Sequence, residues 1–103
     1  MNIIANYMNA FRHNFNQIPQ IVCEDGFAMS VQASECHYTS PRKDFEDCRM
    51  YDKMEIGFPN KSEKLLLEYA EDPENHTDSV YGFVPVEIIN EVILKHGGLK
   101  RPF

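Results

Sequence analysis

No C-x-x-C pair, no glycine-rich phosphate loop and no tryptophan occurs in these 103 residues, and the first two absences each remove a class of chemistry. Three cysteines, Cys23, Cys36 and Cys48, are too few and too widely spaced for a disulfide framework, so a reducing cytoplasm is the expected setting. Structural zinc sites hold paired ligands two to four residues apart on a tight turn. Here twelve residues separate Cys23 from Cys36 and eleven separate Cys36 from Cys48, while adjacent Cys36 and His37 point apart in an extended chain. No metal and no other cofactor is expected. The glycines at Gly26, Gly57, Gly82, Gly97 and Gly98 form neither a P-loop nor a G-x-G-x-x-G turn. Ser30, Ser34 and Ser40 sit in no G-x-S-x-G elbow. Nothing in the sequence brings Cys36 or Cys48 to His76 or His96 as a nucleophile and its base. No catalytic residue is assigned.

Long apolar runs are missing as well. None approaches the roughly 18 residues of a membrane span, and the first residues lack the basic segment of a secretory signal. Basic charge is short: ten Lys and Arg face sixteen Asp and Glu, a formal charge of −6. That balance argues against general nucleic-acid binding, which depends on neutralising phosphate. It suits a basic protein partner. The excess gathers between Glu63 and Asp78, where Glu63, Glu68, Glu71, Asp72, Glu74 and Asp78 accompany the single base Lys64.

What is present reads as one α+β domain over residues 1–103, with an N-terminal helix extension (1–19), a core (21–98) and a mobile tail (99–103). Ile3, Ile4, Tyr7, Met8, Phe11, Phe15 and Ile18 have the spacing of an amphipathic helix that Pro19 ends. Its Phe11–Phe15 stripe fits either the parent sheet, the preferred surface, or a second copy of the chain. Ile21–Cys23, an Asp25-Gly26 turn and the alternation of Phe27, Met29, Val31 and Ala33 predict a hairpin with one wet face. Met54, Ile56 and Phe58 predict a further strand. The run Leu65–Leu67 fits a short helix capped by Ser62 or a short buried strand. A strand over "SVYGFVP" then leads through Pro85 into the most regular element, a helix with core positions Ile88, Ile89, Val92 and Ile93, stopped at Gly97. His96 at its end is accounted for by the helix dipole. The expected architecture is a small antiparallel sheet with the C-terminal helix, and the added N-terminal helix, against it.

Two surfaces draw attention. The turn "HYTSPRK" gathers His37, Tyr38, Ser40, Arg42 and Lys43, an imidazole, a phenol, a hydroxyl and two cations that together suit a contact surface or a nucleotide phosphate and base. The acids Asp44, Glu46 and Asp47 follow at once and weaken the phosphate reading. The second surface is the acidic loop with Glu71, Asp72 and Glu74.

The blocks "CEDGFAMSVQASECHYTSPR", "YAEDPE" and "VYGFVPVEIINEVILKHGG" resemble a family of small proteins encoded by bacteriophages and prophages, over residues 21–98. The family's pattern starts after the first helix, and a cysteine often stands where this chain has Thr39. The resemblance carries over no catalytic residue. It implies an accessory protein of the bacterial host cytoplasm that works by binding a host or defence protein, or by sequestering a signalling nucleotide.

Overall fold

The structure, a computed structural model, describes residues 2–12 and 18–100. Its elements run α1 (Ile3–Phe11), β1 (Ile21–Val22), β2 (Ala28–Gln32), β3 (Lys53–Gly57), β4 (Val80–Pro85) and α2 (Val86–Lys95), with 3-10 turns at Cys48–Met50 and Lys64–Tyr69. The four strands form one antiparallel sheet in the order β1-β2-β3-β4. The α+β class and the two helices on a small sheet are as the sequence predicts.

Helix α2 follows its pattern. Ile89, Val92 and Ile93 are fully buried, and Val86 joins them at the first turn. Pro85 stands as N-cap, a position that needs no backbone N–H. Gly97 and Gly98 both take positive φ, which lets the chain reverse after the helix. A Cβ on Gly97 would lie 3.1 Å from Glu24 Cβ. Gly97→Ala therefore combines left-handed strain with a clash, and a loss of roughly 1–2 kcal/mol in urea unfolding is expected.

Helix α1 buries Ile4, Ala5 and Met8 in the same core, a cluster that also contains Phe27, Met29, Val31, Met54, Ile56 and Tyr81. It packs on α2 and on the Cys48–Met50 turn. Asn2 caps it by accepting from the Ala5 amide at 3.2 Å, and Asn90 of α2 accepts from the Ile4 amide at 2.9 Å. The helix closes at Phe11, short of the predicted Ile18, because Arg12 is extended and its guanidinium donates to the carbonyls of Ala33 and Phe45. Residues 13–17 of the predicted helix lie outside the described residues. Phe11 is 39% exposed and does not fill the core. Phe15 lies outside the described residues.

The hairpin turn is held by its own acid: Asp25 Oδ1 accepts from the Phe27 amide at 2.9 Å while Gly26 takes φ 94°. Strand β2 departs from the one-wet-face expectation. Gln32 is 5% exposed, since its amide brackets the backbone of Ile18 through both N–H and carbonyl. Burial of that polar group is compatible with stability because both its ends are paired. Phe58, predicted on the buried face of β3, instead has φ 50° and is 52% exposed, because the strand ends at Gly57.

The Leu65–Leu67 run forms a 3-10 helix, capped by Glu63 and not by Ser62. The chain after Gly98 returns to the sheet. Leu99 bridges to Cys23, the Lys100 amide donates to the Val22 carbonyl at 2.8 Å, and the Glu24 amide donates to Gly98 at 2.9 Å. Residues 99–100 are thus hooked onto the outer edge of β1. Residues 101–103 lie outside the described residues.

Candidate recognition surface

Strand β4 contains an irregularity that shapes the neighbouring loop. Met54 pairs with Val84 and Ile56 with Tyr81, so Gly82 and Phe83 together oppose the single residue Glu55. This is a β-bulge, which bends a strand and re-aims its side chains. Phe83 takes φ 53°, a left-handed conformation that is strained for any residue with a Cβ. Its ring is turned outward and is 45% exposed.

Tyr38 is seated on the bulge. Its carbonyl accepts the Phe83 N–H at 3.0 Å, and its own N–H donates to Glu55 Oε1 at 3.2 Å. Glycine at position 82 suits this close approach, since a Cβ there would stand 3.2 Å from Tyr38 Cβ and would press Tyr38 back by a few tenths of an ångström. The Tyr38 and Phe83 rings lie 5.8 Å apart at 40°, and the Arg42 guanidinium stands 5.5 Å from the centre of the Tyr38 ring. Arg42 is steadied by donating from Nε to the Glu35 carbonyl at 3.1 Å. Tyr38 is 38% exposed, so a phenol, a phenyl and a guanidinium form one continuous outward surface.

The other predicted residues divide. His37 turns inward: its Nδ1 meets Ser34 Oγ at 2.6 Å, a local turn contact. Ser40 is a backbone residue here, bridged to Lys53 of β3. Thr39 is buried, with its hydroxyl within hydrogen-bond distance of the Ser34 and Pro41 carbonyls, so its side chain faces inward. Lys43 has an exposed side chain, and its carbonyl accepts from the Tyr51 hydroxyl at 2.5 Å. Glu71, Asp72 and Glu74 are exposed, as the acidic-surface reading requires. They reach the same strand: Ala70 bridges to Tyr81 and the Glu71 amide donates to the Val80 carbonyl. Glu71 and Tyr38 therefore attach to β4 three residues apart, about 10 Å at the usual strand rise. This adjacency has no local signature in the residues themselves. Glu63 does not belong to the acidic surface, being only 2% exposed and facing inward.

Glu63 instead belongs to a cluster that sequence reasoning missed. His96 Nδ1 lies 2.6 Å from Asp25 Oδ2, and His96 Nε2 lies 2.7 Å from Glu63 Oε1. Glu63 Oε2 accepts from Lys95 Nζ at 3.0 Å and also from the Leu65 amide at 2.8 Å. The imidazole stacks on Phe27, with ring centres 4.2 Å apart and an interplanar angle of 12°. Burial alone would lower the pKa of His96, but the hydrogen bonds and charges of Asp25 and Glu63 outweigh it and raise the pKa above its ordinary 6.5. Burial of Glu63 would raise its pKa, yet the Leu65 amide, His96 and Lys95 hold it below the ordinary 4.5. The dipole of α2 acts in the same sense, but the main cause is this pair of carboxylates.

Cys23 and Cys48 are buried and unpaired, and Cys36 is exposed. Burial, aided by Asp25, pushes the Cys23 thiol up to about 11, and burial raises that of Cys48, which keeps both from the nucleophilic thiolate form. Among the described residues no three of His, Cys, Asp and Glu are placed to hold a metal ion. Nor is any helix among them long and apolar enough to cross a membrane. A separate apolar groove of about 460 Å³ runs between Tyr7 and Phe11 of α1, Pro19, Val22 and the hooked residues Leu99 and Lys100.

No protein-family model, curated protein or solved structure matches the chain. Fold and surface define a class by themselves: a small α+β protein that displays an aromatic pair on a strained bulge.

Proposed function

We propose that the chain is a non-enzymatic binding protein of the phage accessory type, which engages a host or defence protein and inhibits it. The contact surface is formed by Tyr38, Arg42 and Phe83, with Glu71, Asp72 and Glu74 alongside for a basic neighbour on the partner. One observation carries the reading: a left-handed bulge residue holds a phenyl ring in water beside a second exposed ring. Strain of about 1–3 kcal/mol at such a residue persists where the surroundings over-determine it, and such residues cluster at functional sites. Tyrosine and arginine are also, with tryptophan, among the residues enriched at the centres of protein interfaces. The phage context rests on the sequence blocks, and the acidic flank on the net charge of −6.

The test is partner capture from bacterial lysate, identified by mass spectrometry, with wild type beside two variants. Tyr38→Ala is expected to lose the partner, and charge reversal at Glu71, Asp72 and Glu74 is expected to weaken capture in a salt-dependent way. Undiminished capture by Tyr38→Ala would remove the aromatic surface from the account.

A second reading draws on the Arg42–Tyr38 stack, which resembles half of a base-binding sandwich with Lys43 close in sequence as a further cation. In that reading the protein sequesters a signalling nucleotide. Calorimetry against cyclic and dinucleotide signals separates the two, because heat that vanishes in Arg42→Ala supports sequestration and a flat panel eliminates it.

A further inference from the structure

We propose that His96, clasped as an imidazolium between Asp25 and Glu63, is a proton-operated latch that fastens the C-terminal hook to the β1–β2 turn. Three segments meet at this ring: the turn through Asp25, the residue before the Lys64–Tyr69 helix through Glu63, and the end of α2 through His96 itself. Both ring nitrogens face carboxylate oxygens at 2.6–2.7 Å. A carboxylate only accepts, so both bonds exist together only when both nitrogens carry protons. A neutral ring keeps one bond and turns a lone pair toward the other carboxylate.

The latch is joined directly to the hook. The Asp25 amide donates to the His96 carbonyl at 3.2 Å, the Glu24 amide to Gly98 at 2.9 Å, and the Lys100 amide to Val22 at 2.8 Å. Losing one clasp bond loosens the turn against residues 96–100, and with them the Leu99–Lys100 wall of the apolar groove. The charged groups around the ring are few. Asp25 and Glu63 favour the proton, Lys95 opposes it but is committed to Glu63, and Lys61 acts on Asp25 from solvent. Glu24 packs its Cβ beside Gly97. Phe27 covers one ring face and does not titrate. The sign follows from the folded state holding the proton more tightly than the unfolded chain: stabilisation is full below pH 6.5 and is lost as pH rises through the folded-state value. Acidification through the folded-state value closes the latch, and pH above that value releases it.

The experiment follows the imidazole resonances of ring-labelled wild-type protein from pH 5.5 to 9, with urea midpoints at pH 6 and pH 8.5. His96 is expected to titrate above 6.5, the wild-type midpoint to fall between the two pH values, and His96→Gln to lose most of that fall. Amide exchange at Glu24, Asp25 and Lys100 is expected to accelerate above the His96 midpoint by more than the rise in intrinsic rate. Should His96→Gln not fold, Asp25→Asn decides the matter by bringing the His96 titration toward its ordinary value. A titration at or below 6.5 in wild type, an unmoved titration in Asp25→Asn, or an equal fall in His96→Gln would overturn the latch.

Discussion

Glu63→Ala is expected to be the most damaging single polar substitution in the chain, lowering stability by about 2–3 kcal/mol. The reason is the number of groups it orphans. Glu63 accepts from the Leu65 amide, from His96 and from Lys95, and it is itself almost wholly buried. Removing one partner of a buried, hydrogen-bonded charge pair costs roughly 3–5 kcal/mol, and the half exposure of Lys95 discounts that figure here. For a domain of this size the loss corresponds to a melting point lower by roughly 10–20 °C. Glu63→Gln keeps one carbonyl oxygen, enough for the Leu65 amide and Lys95, but turns its NH2 toward the protonated His96 Nε2, so less than half of the loss is expected to return. Thermal unfolding at pH 6, where His96 carries its proton, measures both variants. A Glu63→Ala protein within about 0.5 kcal/mol of wild type would contradict the geometry of the clasp.

The second large effect is on binding and not on stability. Phe83→Gly removes the exposed ring and places the residue that adopts positive φ without strain at φ 53°. Relief of about 1 kcal/mol there offsets the lost ring contact with Tyr38 and the greater freedom of glycine in the unfolded chain. The net change in unfolding free energy is expected to stay below about 1 kcal/mol, while the partner captured by wild type is bound at least tenfold more weakly, as for an interface anchor. Urea unfolding and a binding titration on the same preparation check the two halves. A ring that merely fills space would show the reverse, with lost stability and intact binding.

Much of the frame could be read from the residues, and the reason is local. Ile89, Val92 and Ile93 repeat at helical spacing between Pro85 and Gly97, and Asp25-Gly26 marks the hairpin by turn chemistry. These signals lie within a few residues of the structure they specify. The failures are of longer range. The end of α1 depends on Arg12 reaching Ala33 and Phe45, and an apolar period cannot report that. The clasp joins residues 71 and 33 positions apart in sequence. His96 therefore read as an ordinary helix-end residue, and Glu63 as one acid among six. The loop "HYTSPRK" was recognisable as a surface by composition, but composition did not show that Tyr38 and Arg42 project while His37 and Ser40 turn to backbone and local bonds. Phe83 was missed because a strand pattern counts two faces, whereas a bulge inserts one extra residue and changes the face.

The bulge surface is the one proposed to meet a partner. Amide exchange of the chain alone and in complex with its captured partner tests this most directly. Slowed exchange is expected in Tyr38–Lys43 and Val80–Val84, with residues 71–74 protected at the margin. Protection confined to α1 and the groove at Val22 and Leu99, with the bulge unchanged, would contradict it.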